Sequence, residues 1–238
     1  VLRDNVGQRD RVIVVTDGVF SMLGEYQDLS QIRTVVDEFD EQFPQGVWLV
    51  VDDAHGVGAF GATGRGTEEV SGAKADVLIG TLGKAFGTDG GYVTASDEVI
   101  AYLRESAATY IYSNSISPGT AGAALAAVKL VDSPAGQKLL AQLQQNIEQF
   151  KQQMRAEGFK FAVDSNHPIQ PWFIGDTQQT KALKQLLYEE GVLVTNINYP
   201  VVPKGKDELR VQLSAAHTAD DLEAFMVAAR KGKKLLQG

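Results

Sequence analysis

The stretch VWLVVDDAHGVG, from Val47 to Gly58, decides the fold class of this chain. It begins as a continuous apolar run that ends at an aspartate, and it then enters a turn of small residues. A run this short and this apolar is typical of a strand buried on both faces of a parallel sheet. A second such run, RVIVV, occupies Arg11 to Val15. Between the runs, apolar residues recur at helical spacing, which predicts one connecting helix and a right-handed βαβ unit.

Further elements follow outward from this unit. Short strands are predicted over Val77–Gly80 and Tyr92–Thr94, and the Ala-rich stretch 121–131 predicts a buried helix. We therefore expect residues 1–130 to form part of an α/β domain, with a mostly parallel sheet and flanking helices.

The pattern changes after Ser133. A long helix that Gly158 would end carries one apolar face, formed by Leu140, Leu143, Ile147, Phe150 and Met154. Strands are predicted at 169–174, near Val192 and at 209–213, and helices at 177–190 and after Thr218, which forms a capping box with Asp221. Residues 131–238 are thus predicted to be a smaller α+β domain.

Composition excludes several classes of function. The net charge of −8 and the pI near 4.9 argue against nonspecific binding to nucleic acid or to anionic membranes. The longest apolar run is too short to span a bilayer. The chain has no cysteine, which excludes disulfides and thiolate metal sites and is typical of a cytoplasmic protein. No cluster of residues has metal-ligand spacing, so no metal is expected.

Asp52, Asp53 and His55 follow the end of the buried strand. Ligands of α/β sheets bind at this edge, and a carboxylate there needs a cation, a metal or a hydrogen-bond donor. Taken alone, the pattern is equally consistent with a turn-capping pair of aspartates and an incidental histidine.

Lys84 lies in the segment GTLGKAFG, Gly80 to Gly87, directly after a predicted strand. The glycines allow the backbone to pass close to a ligand, and partial burial would supply the free amine that a Schiff-base nucleophile requires. The alternative is a solvated loop cation. A P-loop is excluded because its motif does not occur, and no dinucleotide-binding fingerprint follows a strand.

Five segments together resemble the α-oxoamine synthase family, which consists of fold-type I enzymes dependent on pyridoxal 5′-phosphate (PLP). They are VTDGVFSM (15–22), VDDAHGVGAFGATGRG (51–66), GTLGKAFG (80–87), YSNSISP (112–118) and YPVVPKGKDELRVQLSAAHT (199–218). The resemblance implies a homodimeric acyltransferase that condenses a small amino acid with an acyl-CoA. The last segment is most similar to the branch of the family that uses glycine and acetyl-CoA.

The resemblance also implies catalytic roles. Lys84 would hold PLP as a Schiff base and later move the α-proton, and Asp52 would keep the pyridine nitrogen protonated. His55 would hydrogen-bond the ring hydroxyl oxygen and help polarise the thioester. Ser21 would assist His55, although it could equally be a helix or turn cap.

Binding roles are implied for four more residues. Thr81 would contact the cofactor phosphate, and Ser113 and Ser115 would reach the phosphate of a neighbouring subunit, although they could instead satisfy a turn. Arg210 would clamp the substrate carboxylate bidentately. Two histidines are given no catalytic role. His217 is expected to be structural, and His167 is expected on the surface.

Members of this family are normally longer, because an N-terminal half supplies part of the large domain and of the acyl-CoA site. This chain alone is therefore not expected to form a complete active site. Two alternatives stay open. One is another fold-type I enzyme, such as an aminotransferase or a different oxoamine synthase, and the other is a non-catalytic partner subunit or an incomplete fragment.

Overall fold

A computed structural model of the chain describes residues 1–236. They form two compact units. The N-terminal unit comprises Val1–Val19 and Tyr26–Gln137, and the C-terminal unit comprises Phe20–Glu25 and the chain from Lys138 onward.

The N-terminal unit contains a four-stranded sheet of order β1-β2-β3-β4, in which the first three strands are parallel and β4 is antiparallel. The strands are β1 (Val12–Asp17), β2 (Val47–Asp52), β3 (Val77–Thr81) and β4 (Gly91–Thr94). The helices of this unit are α1 (Leu2–Asn5), α2 (Leu29–Asp40), α3 (Thr67–Ser71), α4 (Asp97–Ser106), α5 (Ala108–Ile111) and α6 (Pro118–Val131). The predicted βαβ unit and α/β class are confirmed.

One face of this sheet is covered by α2. The side chain of Asp28 caps this helix by accepting a hydrogen bond from the backbone N–H of Ser30 at 3.0 Å. The buried residues of α2 pack against those of β2 in one apolar core, which contains Leu29, Val36, Phe39, Val47, Leu49 and Val51. We call this the closed face.

The opposite face, here called the open face, carries exposed apolar side chains. Register places Ile13 beside Trp48 and Val15 beside Val50, and Ile13 and Val15 are 52% and 68% exposed. The helix α6 was predicted to be buried, and this is wrong: only Ala124 is buried, and Leu125 is 56% exposed. An Ala-rich composition indicates a helix that can pack closely, but it does not reveal whether a neighbour is present to pack against it.

The C-terminal unit contains an antiparallel sheet of order β5-β6-β8-β7. Its strands are β5 (Lys160–Phe161), β6 (Ile169–Phe173), β7 (Thr195–Ile197) and β8 (Glu208–Gln212). Its helices are α8 (Thr177–Glu189) and α9 (Ala219–Gly232), with a short 3-10 helix at Lys233–Leu236, together with most of α7 (Pro134–Ala156).

The core of this unit lies between the helices and one face of the sheet. All five predicted apolar positions of α7 are buried, which confirms the predicted face. Phe150 of α7 meets Phe225 of α9 edge-on, with ring centroids 5.0 Å apart, and Trp172 of β6 meets Phe159 at 4.7 Å. The capping box of Thr218 and Asp221 is also confirmed.

Two local predictions in this unit are wrong. The strand expected near Val192 begins at Thr195, because the Val192 N–H still bonds the Leu187 carbonyl at 2.8 Å and completes the end of α8. His167 is buried rather than on the surface. Its Nδ1 accepts the Ile169 N–H at 3.2 Å, because the polar loop folds inward.

Candidate active site

The carboxyl edge of the parallel strands brings two carboxylates together. Asp17 ends β1 and Asp52 ends β2, and the two residues are direct partners in the strand register, so their side chains share the open face. Partial burial raises the pKa of Asp17, the negative charge of Asp52 raises it further, and the positive charge of Lys84 lowers it. Asp17, Asp52 and Lys84 therefore form one electrostatic cluster, which we call the acid–lysine cluster.

The neighbouring aspartates Asp52 and Asp53 point to opposite sides of β2 and have different environments. Asp53 is fully buried, and its carboxylate accepts the N–H of Thr67 at 2.7 Å and its hydroxyl at 2.6 Å. Gly56 and Gly66 pack so closely on Asp53 that a Cβ at either would lie within 2.1 Å of its oxygens. Burial raises the pKa of Asp53 to about 6, although the bonds from Thr67 oppose the rise. Asp53 is thus a structural residue, and Asp52 lies on the open face.

The turn after β2 presents Asp52 and His55 together. The Ala54 N–H donates to Oδ1 of Asp52 at 3.0 Å, which fixes the orientation of this carboxylate. The Gly56 N–H bonds the Asp53 carbonyl at 2.9 Å, and the turn that results places a half-buried His55 directly after the strand end.

Lys84 lies in the loop between β3 and β4, and hydrogen bonds hold the two ends of this loop together. The Leu82 N–H bonds the Gly90 carbonyl at 2.9 Å, and the Thr81 hydroxyl donates to the same carbonyl at 3.2 Å. The Thr81 hydroxyl also accepts the Gly83 N–H at 3.2 Å. Thr81 therefore braces the base of the loop, and its contact with a phosphate stays a prediction. Lys84 is exposed, so the partial burial expected from the sequence is not found among the described residues.

The glycine before this loop is required by packing. A Cβ at Gly80 would lie 2.2 Å from the ring of Tyr92 on the adjacent strand β4. Any larger residue would force the ring of Tyr92 to shift. The glycine-flanked lysine thus reflects a close contact between strands as well as access to a ligand.

The remaining predicted residues lie elsewhere. Ser113 and Ser115 are exposed in the irregular segment between α5 and α6. Ser21 and Arg210 belong to the C-terminal unit, Ser21 in a turn and Arg210 half-buried on β8. His217 accepts the Ser214 N–H at Nδ1 (3.2 Å), directly before the N-cap of α9, in agreement with a structural role.

Within residues 1–236, no group of three or more His, Cys, Asp or Glu side chains could hold a metal ion. No helix within residues 1–236 is long and apolar enough to cross a membrane.

The sequence model of the family described as Aminotransferase class I and II matches residues 2–228. The chain belongs to this family. It is 43% identical over 227 residues to an 8-amino-7-oxononanoate synthase of Geobacter metallireducens. The match covers 93% of this chain and 56% of that protein. It is 39% identical over 228 residues to the 2-amino-3-ketobutyrate coenzyme A ligase of Escherichia coli K12, covering 94% and 55%.

Solved structures agree with these sequence relatives. A serine palmitoyltransferase of Sphingomonas wittichii is 30% identical, with a TM-score of 0.86, and the match covers 98% of this chain and 59% of that one. These relatives place the chain among the α-oxoamine synthases. The chain spans less than two thirds of the length of each of them.

The cofactor of this family member is pyridoxal 5′-phosphate. The acid–lysine cluster fits this group. A pyridine nitrogen stays protonated beside a carboxylate, which Asp52 offers on the open face, and an aldehyde requires an amine, which Lys84 offers at the same edge of the sheet. Val15 and Val50, which lie on the same face of the sheet as Asp52, offer apolar side chains that suit an aromatic ring.

Proposed function

We propose that the protein forms a carbon–carbon bond between the α-carbon of a small amino acid and the acyl group of an acyl-CoA, with release of free CoA. The observation that carries the proposal is the acid–lysine cluster of Asp17, Asp52 and Lys84. The names of the two relatives agree with it, because each contains an amine on the carbon next to a ketone.

The bound cofactor supplies an aldehyde and an electron-withdrawing ring that stabilises negative charge on the α-carbon of the amino acid. Asp52 holds the proton of the ring nitrogen. Lys84 would hold the cofactor through its aldehyde, and its amine would move the α-proton of the amino acid. His55 hydrogen-bonds the ring hydroxyl oxygen and polarises the thioester carbonyl, and Ser21 assists it.

Binding roles are proposed for four further residues. Thr81 contacts the cofactor phosphate, and the exposed Ser113 and Ser115 reach the phosphate site of a second subunit in a homodimer. Arg210 binds the carboxylate of the amino acid. This role is supported by its buried Nε, which has no hydrogen-bond partner within residues 1–236.

Glycine and acetyl-CoA are the proposed substrates, on the basis of the tail from Tyr199 to Thr218 and its resemblance to glycine-specific members. A second pair is favoured by the 43% identical relative. The nine-carbon skeleton of 8-amino-7-oxononanoate divides into a seven-carbon dicarboxylic acyl group and a two-carbon amine end, which is what alanine leaves after its carboxyl group is released as CO2. Alanine with pimeloyl-CoA is therefore the alternative.

Release of free thiol by the full-length protein tests these assignments. Glycine with acetyl-CoA is expected to release CoA faster than alanine with pimeloyl-CoA, and the reverse order would favour the second pair. A 2-oxo acid acceptor without acyl-CoA tests for aminotransferase activity instead. Thiol release from neither pair would contradict the proposed reaction.

The lysine is tested separately by spectroscopy. Lys84→Ala is expected to abolish the visible absorption band of the bound cofactor, whereas Lys129→Ala, an exposed lysine of α6, should retain it. A Lys84→Ala protein that keeps the band would rule out Lys84 as the residue that bonds the cofactor.

A further inference from the structure

A buried carboxylate on β8 has no hydrogen-bond partner. Glu208 is 0% exposed, and neither of its two side-chain oxygens is hydrogen-bonded within residues 1–236. Register places it between Phe173 of β6 and Ile197 of β7, so the strands on both sides bring apolar side chains. A carboxylate in such a setting is costly, and a native structure that keeps one has a reason to do so.

Arg210 lies two residues further along β8 and on the same face of the sheet. Its Nε is buried and also lacks a partner among the described residues. The charges of Glu208 and Arg210 act on each other, since each shifts the titration of the other in the direction that favours the charged form. The two groups are therefore an electrostatic pair in which each keeps unused hydrogen-bonding capacity.

Burial and the charge of Arg210 together determine the titration of Glu208. Burial raises the pKa of Glu208 to about 7, and the positive charge of Arg210 opposes the rise. From β6, Phe173 carries Lys206 over its ring, with Nζ 5.9 Å from the centroid. From β7, Ile197 brings no charge. Asp207 points to the other face, where it accepts hydrogen bonds from Thr177 and Asn198.

We propose that Glu208 is a positioning residue for Arg210: it is the internal counter-ion of the guanidinium, and it takes up a proton from solvent when a carboxylate ligand binds there. The proposal rests on the proposed role of Arg210 in holding the carboxylate of the amino acid. Two carboxylates in a desolvated site cannot both stay ionised against one guanidinium. The incoming ligand takes the charge, and Glu208 becomes a neutral acid on the same face of β8 as Arg210.

This exchange predicts a pH-dependent affinity. Because binding takes up a proton, the affinity for a carboxylate ligand falls as the pH rises above the point at which free Glu208 ionises. Glu208→Gln keeps the shape of the side chain but removes its charge. The variant should therefore lose the part of the pH-dependent affinity that Glu208 causes. A shift of one pH unit in the titration of Glu208 on binding corresponds to about a tenfold change in affinity.

The test is a titration of the full-length holoenzyme with glycine, followed by the visible spectrum of the cofactor, from pH 6 to pH 9. The dissociation constant of the wild type divided by that of Glu208→Gln is expected to be near one at pH 6 and about tenfold at pH 8.5 or above. Taking the ratio cancels proton steps that both proteins share. Glu189→Gln, an exposed acid at the end of α8, should give a flat ratio.

A second ligand makes the result specific to the carboxylate. Glycinamide has the amine of glycine but no carboxylate, so its ratio should stay flat across the same pH range. A flat ratio for glycine, or an equal rise for glycinamide, would overturn the role of Glu208.

Failure of the proposed function gives a different result. If Arg210→Ala binds glycine as tightly as the wild type, Arg210 does not hold the carboxylate, and the proposed role of Arg210 falls. If Arg210→Ala weakens glycine binding strongly while the Glu208→Gln ratio stays flat, only the inference about Glu208 falls.

In case Glu208→Gln does not fold, calorimetry of the wild type in two buffers of different ionisation enthalpy provides the test. After subtraction of the protons that the two free amines carry at pH 8, it should show more proton uptake with glycine than with glycinamide, and equal corrected uptake would overturn the role of Glu208.

Discussion

The two sheets of the molecule differ in how they are packed. In the C-terminal unit, Trp172 and Leu209 lie under α7 and α9, and the core is closed within the described residues. In the N-terminal unit, α2 covers the closed face, while Ile13 and Val15 are exposed on the open face. The comparison shows that the C-terminal unit draws its stability from a completed core, whereas the N-terminal unit is held from one side. The proposed cofactor-binding acids lie on the other side.

The largest expected effect is in the completed core. Trp172→Ala should destabilise the C-terminal unit by about 3–5 kcal/mol, because it removes a fully buried ring that contacts Phe159 and Phe225. Urea unfolding followed by far-UV circular dichroism measures this change. A loss below about 1 kcal/mol would mean that this core is less closed than its burial indicates.

The second face of the C-terminal sheet should respond to pH. The pKa of Glu208 is raised from 4.5 to about 7 in the folded state, so its contribution to stability is complete below about pH 4.5 and is lost as the pH rises through 7. Glu208→Gln should avoid this loss. The variant should gain about 3 kcal/mol relative to the wild type between pH 4.5 and pH 8. If the difference in unfolding free energy between the wild type and Glu208→Gln stays constant over this pH range, the pKa of Glu208 is not raised by burial.

The two faces of the N-terminal sheet allow a matched pair of substitutions. Val51→Ala on the closed face should cost about 2 kcal/mol, because the side chain is fully buried. Val15→Ala on the adjacent strand should cost under about 0.5 kcal/mol, because this side chain is mostly exposed. Thermal unfolding of both variants compares the two faces directly. Equal costs would show that the open face is covered in solution.

Helix caps provide the smallest effect and a control. Thr218→Ala in the C-terminal unit and Asp28→Ala in the N-terminal unit should each cost about 1 kcal/mol. Each cap acts through hydrogen bonds within its own first turn, so core closure should not matter. A clear difference between the two variants in urea unfolding would indicate that the caps support packing as well as local structure.

Sequence reasoning succeeded where an element contains its own explanation. The strand β2 has the predicted bounds, since it is flanked by parallel strands on both sides and its apolar run marks both ends. The helix α7 shows its buried face by spacing alone. The position of Asp52 and Lys84 at the edge of one sheet followed from their places after two neighbouring strands.

The failures depend on partners that are distant in sequence. The burial of His167 depends on how a loop folds back, and the exposure of α6 depends on which neighbours are present. Asp17 was not identified, although it ends β1 as Asp52 ends β2. Only the strand register shows that the two carboxylates meet, and knowledge that these strands are adjacent and parallel could have revealed it.

The opposite orientation of Asp52 and Asp53 makes the reading frame of β2 critical. Two chemically identical side chains have separate duties only because a strand alternates its sides: Asp53 is hydrogen-bonded to Thr67, and Asp52 lies on the open face. Deletion of a single residue within β2 would exchange these duties without removing either acid. Asp53 would then lie on the open face and Asp52 on the side of Thr67, and a comparison of residue types alone would not detect the change.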